Sequence, residues 1–297
     1  MPIAILGPTA SGKSAVAVAV ARRLGGVVVN GDPYQAIRGL AIGTGQPDAA
    51  EQGGVPHVGY GVLPLSTRPN PAAFGAQVRG QVRECLAAGR EPVLVTGSGL
   101  YLRGIWNQLS SLPEVAPSLV DRVRRWDGIL GTPALHRYLA AVDPARAEAL
   151  HPNDRARVMR ALALHLATGR APSGLLSGPD TELPDGWRVL VVSPSRVRRR
   201  DRVAARVAAQ VRAGWPAEVA GLMAAGHRAD LEALRPLGYA AWMAGGDPDD
   251  IQARVVQETQ AYAKRQATWF RNQLTEAAVW DPDMEPLEAA FTGLGLP

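Results

Sequence analysis

Four apolar residues, Ile3-Ala4-Ile5-Leu6, open the chain, and the hydrophobic pattern then changes character three times along its length. A short apolar run closed by Gly7-Pro8 reads as a buried β-strand over 3–6. Similar runs predict strands over 27–30 and 92–96. Between them, residues 12–24 and 71–88 have helical character, and Gly89 follows the second as a C-cap glycine would. Strands alternating with helices predict a parallel sheet. Residues 44–70 are rich in Gly and Pro and read as loop with short elements.

From about Pro117 the pattern becomes wholly helical, over 118–130, 133–142, 144–150 and 154–168, with Gly or Pro between the segments. A strongly apolar strand returns over 187–192. Beyond Pro194, helices are expected over 198–213, 216–225, 236–243 and about 251–277, and the tail after Pro282 is expected to fray. The fold class predicted is α/β: a P-loop parallel sheet flanked by helices, built from residues 1–116 and 186–297, with a small all-helical insertion at 117–185.

Composition adds a few bounds. A chain of 297 residues suits one large or two modest domains, and 46% hydrophobic residues suffice for a full core. The net charge of +5 leans towards an acidic partner such as nucleic acid, although an Arg-rich, Lys-poor chain also reflects genome base composition. The single Cys85 excludes an intramolecular disulfide and a Cys-ligated zinc site. No signal peptide precedes Ile3 and no apolar run approaches membrane-spanning length, so a soluble cytoplasmic protein is expected, with no membrane partner.

The chemistry starts with two lysines set against thirty arginines. One of them, Lys13, sits in GPTASGKS, where a compact ammonium on a flexible stem serves better than a planar fork. Gly7, Gly12, Lys13 and Ser14 fit the spacing G-x-x-x-x-G-K-[ST] between a strand and a helix, the context of a phosphate-cradling loop. Asp32 follows the second strand, where ligands of a doubly wound sheet bind, and a carboxylate there can act as general base or help hold Mg2+. Asn30-Gly31-Asp32-Pro33 is equally good turn chemistry, so spacing alone leaves both readings open. The strand ending at Thr96 runs into Gly97-Ser98-Gly99-Leu100-Tyr101 and not into the acid that usually holds Mg2+ in ATP-hydrolysing P-loop proteins. Such small residues permit close backbone approach to a ligand, or simply a turn.

Three helical faces are basic. Asn153 or Asp154 can cap a helix on which Arg157 and Arg160 share a side, while His151 reads as structural. Arg198, Arg202 and Arg206 recur every four residues beside an apolar stripe of Val203, Val207 and Val211. Lys264 and Arg271, seven apart, lie among Tyr262, Trp269 and Phe270, an interleaving that suits RNA. Each of these faces also reads as a solvated or core-packed helix.

The ordered set is far more specific than its members. GPTASGKS, Asp32, Ile42-Gly43-Thr44, the Gly-Ser-Gly-Leu-Tyr turn, HPND followed by RALAL, Leu237-Gly238-Tyr239 and AKRQATWFR occur in sequence. From about residue 2 to 275 the chain resembles the tRNA dimethylallyltransferase (isopentenyltransferase) family in its bacterial form, without the zinc-finger extension of eukaryotic relatives. The resemblance implies transfer of the prenyl group of dimethylallyl diphosphate to the exocyclic amine of the adenosine 3′ of the anticodon. The partners implied are tRNA, through its anticodon stem-loop, and the prenyl diphosphate; a monomer is expected. Implied for the diphosphate are Gly7, Thr9, Ala10, Ser11, Gly12, Lys13, Ser14 and Arg235, with Ser14 also holding Mg2+. Implied as catalytic are Asp32, Lys13 and Ser98. Implied for tRNA are Asp32, Pro33, Tyr34, Gln35, Ser98, Arg157, Arg160, Lys264 and Arg271.

Two motifs depart from the family. Asp-Ser-x-Gln-x-Tyr becomes Asp32-Pro33-Tyr34-Gln35-Ala36-Ile37, and Ile-Gly-Thr-Ala-Lys-Pro becomes Ile42-Gly43-Thr44-Gly45-Gln46-Pro47, without its lysine. The competing reading is a P-loop small-molecule or nucleotide kinase, with the arginines at 196–206 as a lid.

Overall fold

Six strands, β1 (Ile3–Leu6), β2 (Val27–Asn30), β3 (His57–Val58), β4 (Pro92–Thr96), β5 (Arg188–Val192) and β6 (Ala278–Trp280), form one sheet in the order β3-β2-β4-β1-β5-β6. Every pairing is parallel. The structure, a computed structural model, describes residues 1–106, 109, 112–176 and 183–296. Two compact units divide the chain: Met1–Asn107 with Asp180–Pro297, and Gln108–Pro179.

The first unit holds the sheet. β1, β2 and β4 are buried at every residue, which is why they are continuous apolar runs and do not alternate. Helix α1 (Lys13–Leu24) covers one face, packing Val16, Ala17 and Val20 on Ile3, Ile5, Val93 and Val95. The stretch to β3 contains only the short helices α2 (Ala41–Thr44) and α3 (Ala49–Gln52). Helices α4 (Pro71–Ala87) and α5 (Gly99–Ile105) cover the other face, with Phe74, Val78, Leu102 and Ile105 on Ala4, Leu6, Val29 and Leu94.

The second unit is helical throughout its described residues: α6 (Pro117–Leu130), α7 (Thr132–Val142), α8 (Pro144–Glu148), α9 (Arg155–Thr168) and α10 (Pro172–Leu176). Val123, Leu135, Leu139, Val158 and Leu162 form its core. Asp127 is buried there and accepts hydrogen bonds from Thr132 and Arg155.

After β5 come α11 (Arg196–Arg212), α12 (Trp215–Ala224), α13 (Arg228–Leu234), α14 (Tyr239–Ala244) and α15 (Pro248–Gln273). They share a third core, in which Val203, Val207, Trp215, Tyr239 and Val255 surround Ile37 and Leu40 and so fix the segment after β2. Among the described residues no helix is long and apolar enough to cross a membrane.

Several elements depart from the sequence expectation. β3 and β6 have only two and three residues, too few to show a period. The long helix stops at Gln273, and 278–280 pairs with β5 where helix was expected to run to 277. The tail forms α16 (Leu287–Gly293), whose Ala290 and Phe291, with Leu294 beyond, are buried against the sheet, so it does not fray. The helix expected from 236 starts at Tyr239, because Pro236–Gly238 is a turn in which Gly238 has φ 82° and lies against Trp215.

Candidate active site

The loop between β1 and α1 is shaped by backbone that few side chains tolerate. Gly7 and Gly12 have φ 150° and 94°, and a Cβ at Gly7 would clash with the Val192 carbonyl. Ala10, at φ 60°, and Arg235, at φ 50°, are the non-glycine residues with positive φ among those described, and the resemblance implicates both in diphosphate binding. Gly12 caps α1 without a side-chain bond, so the first-turn N–H groups stay open to a ligand. Ser11 is fully buried and its Oγ has no hydrogen-bond partner among the described residues. One expected donor is already engaged, because the Thr9 amide donates to Gln266 Oε1 at 2.9 Å. Ser14 is exposed at the start of α1.

Lys13 Nζ reaches back to the Pro8 carbonyl at 3.4 Å. The residue is half-buried, and its ammonium is partly desolvated. That desolvation, helped by the Arg206 charge and opposed by Asp32, lowers its pKa from 10.5 to about 8. The charge of Lys13 reaches Asp32 across the sheet edge.

Asp32 is held by its own turn. Asn30, fully buried, donates through Nδ2 to the Asp32 and Gly59 carbonyls and accepts the Asp32 amide. Asp32 Oδ1 accepts the Tyr34 amide at 2.9 Å and, more weakly, that of Gln35 at 3.4 Å, while Oδ2 makes no hydrogen bond among the described residues. Burial raises the carboxyl pKa above 3.8, against the pull of Lys13, the two amides and Arg206. Asp32 is thus both turn former and poised carboxylate, one role for each oxygen. Four tyrosines, Tyr34, Tyr60, Tyr101 and Tyr262, stand within reach of its charge; burial raises their hydroxyl pKa first, and Asp32 adds to the shift. The Tyr34 hydroxyl donates to the carbonyl of Leu234, which brings exposed Arg235 beside this cleft.

Several residues that sequence reading did not assign hold these parts together. Thr96 Oγ1 donates to the Gly31 carbonyl and accepts the Ser98 amide, tying the ends of β2 and β4. Gln266, buried on α15, accepts the Thr9 amide and donates to the Gly97 carbonyl at 2.8 Å, locking the anion loop to the β4–α5 turn. A Cβ at Gly97 would lie 2.9 Å from Gln266 Nε2 and 3.0 Å from the Gly7 carbonyl, so the closest backbone approach is to the loop itself. Arg202 donates to the Ser11 carbonyl at 3.1 Å and pairs with Asp283 at 2.6 Å. Arg206, its guanidinium desolvated, reaches the Thr44 carbonyl at 3.4 Å. The four-residue spacing of Arg202 and Arg206 was a usable signal; Gln266 lies within AKRQATWFR, but its role could not be read there, its partners being 169 and 257 residues away.

The remaining expected residues lie as follows. Pro33 is buried; Gln35 is half-buried and donates to the Thr44 and Gly45 carbonyls. Ser98 caps α5 at the cleft, next to Gly99, on which the Trp269 indole packs directly. Lys264 and Arg271 are exposed on α15. Arg157 and Arg160 are exposed on α9 of the second unit, Arg157 pairing with Asp154 at 3.5 Å. The cleft therefore combines an anion cradle, a cation and a carboxylate with a free oxygen, which suits departure of an anionic group with proton removal beside it.

The chain matches a family model described as IPP transferase over residues 35–273 and one described as isopentenyl transferase over residues 2–58. It is 40% identical over 288 residues to a tRNA dimethylallyltransferase of Rhodospirillum centenum, covering 95% of this chain and 92% of that protein. The enzyme of the same description from Acidiphilium cryptum is 39% identical over 275 residues, covering 91% and 83%. Among solved structures, the tRNA isopentenylpyrophosphate transferase of Bacillus halodurans superposes with TM-score 0.67 at 30% identity over 99% of this chain and 96% of that one. A eukaryotic dimethylallyltransferase acting on tRNA gives TM-score 0.77 at 21% identity over 98% and 77%, a likeness of fold.

Proposed function

Because this chain belongs to the tRNA dimethylallyltransferase family, we propose that it transfers the dimethylallyl group of dimethylallyl diphosphate to the exocyclic N6 of the adenosine 3′-adjacent to the anticodon in tRNA. The observation that carries this reading to the residues is one cleft holding both an anion loop and an Asp with one oxygen unengaged.

The prenyl C1–O bond breaks and its electron pair stays on the diphosphate, while N6 forms the new bond to C1. Negative charge grows on the leaving group, where Lys13 and the open amides at the start of α1 stabilise it. Arg235 and the exposed Ser14 hydroxyl extend the cradle. The adenine amine is a weak nucleophile, because its lone pair is shared with the ring; Asp32 Oδ2 takes the N6 proton as the bond forms. Ser98, at the cleft end of α5, contacts the base. A stacked base cannot enter such a site, so the adenosine is flipped out at a cost of about a few kcal/mol. The tyrosines around Asp32 give it, and the prenyl chain, apolar walls.

Mg2+ fits the donor set. Ser14 offers one hard oxygen at the loop, with no acidic cage of three or more ligands among the described residues. An ion that keeps waters and shares substrate phosphates needs no more, and when bound it would neutralise diphosphate charge.

The test is label transfer. With unmodified tRNA, Mg2+ and labelled dimethylallyl diphosphate, label should pass into tRNA; ATP consumption without prenylated tRNA would replace this reading with the kinase one. Gln266→Leu should cost about tenfold in kcat/KM for the prenyl diphosphate, because two hydrogen bonds, one buried and one part-buried, at roughly 0.5–1.5 kcal/mol each hold the loop. Gln266→Glu, which keeps the acceptor for Thr9, should recover part of that loss. The measurement is steady-state kinetics at saturating tRNA, and equal rates for all three proteins would remove Gln266 from the role.

A further inference from the structure

Helix α11 divides its arginines between two places. Arg202 and Arg206 turn to the anion loop and the Asp32 cleft. Arg196 and Arg199 line a separate cavity of about 650 Å³, together with Lys264 and Arg271 of α15 and Pro8 of the loop. A smaller cavity of about 210 Å³ shares Arg196, Arg199 and Lys264 and adds Arg200. The two make one groove along the seam of α11 and α15.

No Asp or Glu lines either cavity. Among the described residues, none of these five cations forms an ion pair. α11 has no acid in its first turn, so its positive dipole end adds to theirs. Burial lowers the pKa of Arg199, and the like charges of Arg196 and Arg271 lower it further. Like charges gathered without a counter-charge oppose folding, and a bound polyanion relieves them. Lys264 and Arg271 are seven residues apart, roughly 10 Å along the helix. That spread suits successive phosphates of a strand and exceeds a single diphosphate. The same lining includes the apolar Phe270, Leu274 and Val279, of which exposed Val279 offers apolar surface to a ribose or base.

We propose that this groove binds the sugar–phosphate backbone of the single-stranded RNA loop flanking the modified nucleoside, with Arg196 and Arg199 as phosphate contacts. The proposal rests on the RNA-modifying reading above and names a binding surface for it.

The test uses the full chain, an unmodified anticodon stem-loop RNA and the double variant Arg196→Gln/Arg199→Gln. Fluorescence anisotropy over a range of salt should show the slope of log affinity against log salt reduced by about 1.4, at roughly 0.7 per phosphate contact on a single strand. Kd at physiological salt should rise about tenfold or more, with KM for the prenyl diphosphate within about twofold. Arg196→Lys/Arg199→Lys should keep the wild-type slope, which separates charge from misfolding. An unchanged slope and Kd in the Gln variant would overturn the proposal. So would a raised KM for the prenyl diphosphate with RNA affinity intact, which would assign the groove to that substrate. Wild-type label transfer, run alongside, reports on the reaction; its failure, with the salt slope still altered by the variant, would sink the reading of the reaction and leave the groove standing.

Discussion

Asp32→Asn should lower kcat for prenyl transfer about a thousandfold and leave tRNA affinity within about twofold. The substitution is chosen for what it keeps. Asn retains an oxygen to accept the Tyr34 and Gln35 amides, so the turn after β2 survives. It loses the basic oxygen that takes the N6 proton in the proposed mechanism, and general-base catalysis is worth about 10²–10⁴-fold. Asp32→Ala removes both, so it should also loosen Tyr34 and, through the Tyr34 hydroxyl, the Leu234–Arg235 backbone. Rapid-quench kinetics with labelled prenyl donor and an RNA-binding titration on both variants separate the two functions. A large loss of RNA affinity in Asp32→Asn with kcat nearly intact would make Asp32 a positioning residue.

What was readable in the chain and what was not follows from range. β1, β2, β4 and β5 are buried on both faces, so their apolar runs stood out and their limits agree with expectation to within a residue. GPTASGKS is recognisable from eight consecutive residues, although Val192, Arg202 and Gln266 fix its geometry from afar, and Asp32 follows its strand by two. β3 and β6 exist through pairing with neighbours distant in sequence and carry almost no pattern of their own. Gln266, Thr96 and Arg206 act only because the sheet and α15 bring together parts 65 to 257 residues apart.

The departure at 42–47 takes on physical sense in the structure. Gly45, at φ 68°, leaves room that the Arg206 guanidinium fills; a Cβ there would collide with it. Gln46 turns to the Ile37 carbonyl at 2.9 Å, so the position that is lysine in the family braces the backbone. The charge of Arg206 reaches both Lys13 and Asp32. A cation from α11 thus stands beside the cleft where the sequence had lost one. Glu218 fixes the same segment by accepting the Ile42 and Gly43 amides and the Tyr239 hydroxyl.

Lys13→Met should reduce kcat/KM for dimethylallyl diphosphate by about 10²–10³, the usual cost of removing one donor from a site of developing negative charge. Its pH profile makes the prediction specific. In the proposed mechanism the reactive free enzyme needs Lys13 protonated and Asp32 ionised. Burial and the Arg206 charge bring the Lys13 pKa down to about 8, so wild-type kcat/KM should fall tenfold per pH unit above that point. Burial raises the Asp32 carboxyl, so the acid limb should begin above the ordinary carboxylate range, with activity lost as pH falls through it. A bell follows for kcat/KM, which reports the free enzyme. In kcat at saturation the bound diphosphate favours the ammonium, so the alkaline limb should move to higher pH or disappear. Lys13→Met should abolish the alkaline limb and keep the acid one. A wild-type profile flat beyond pH 9, or an alkaline limb that survives in Lys13→Met, would mean that the ammonium is not the group that meets the leaving diphosphate.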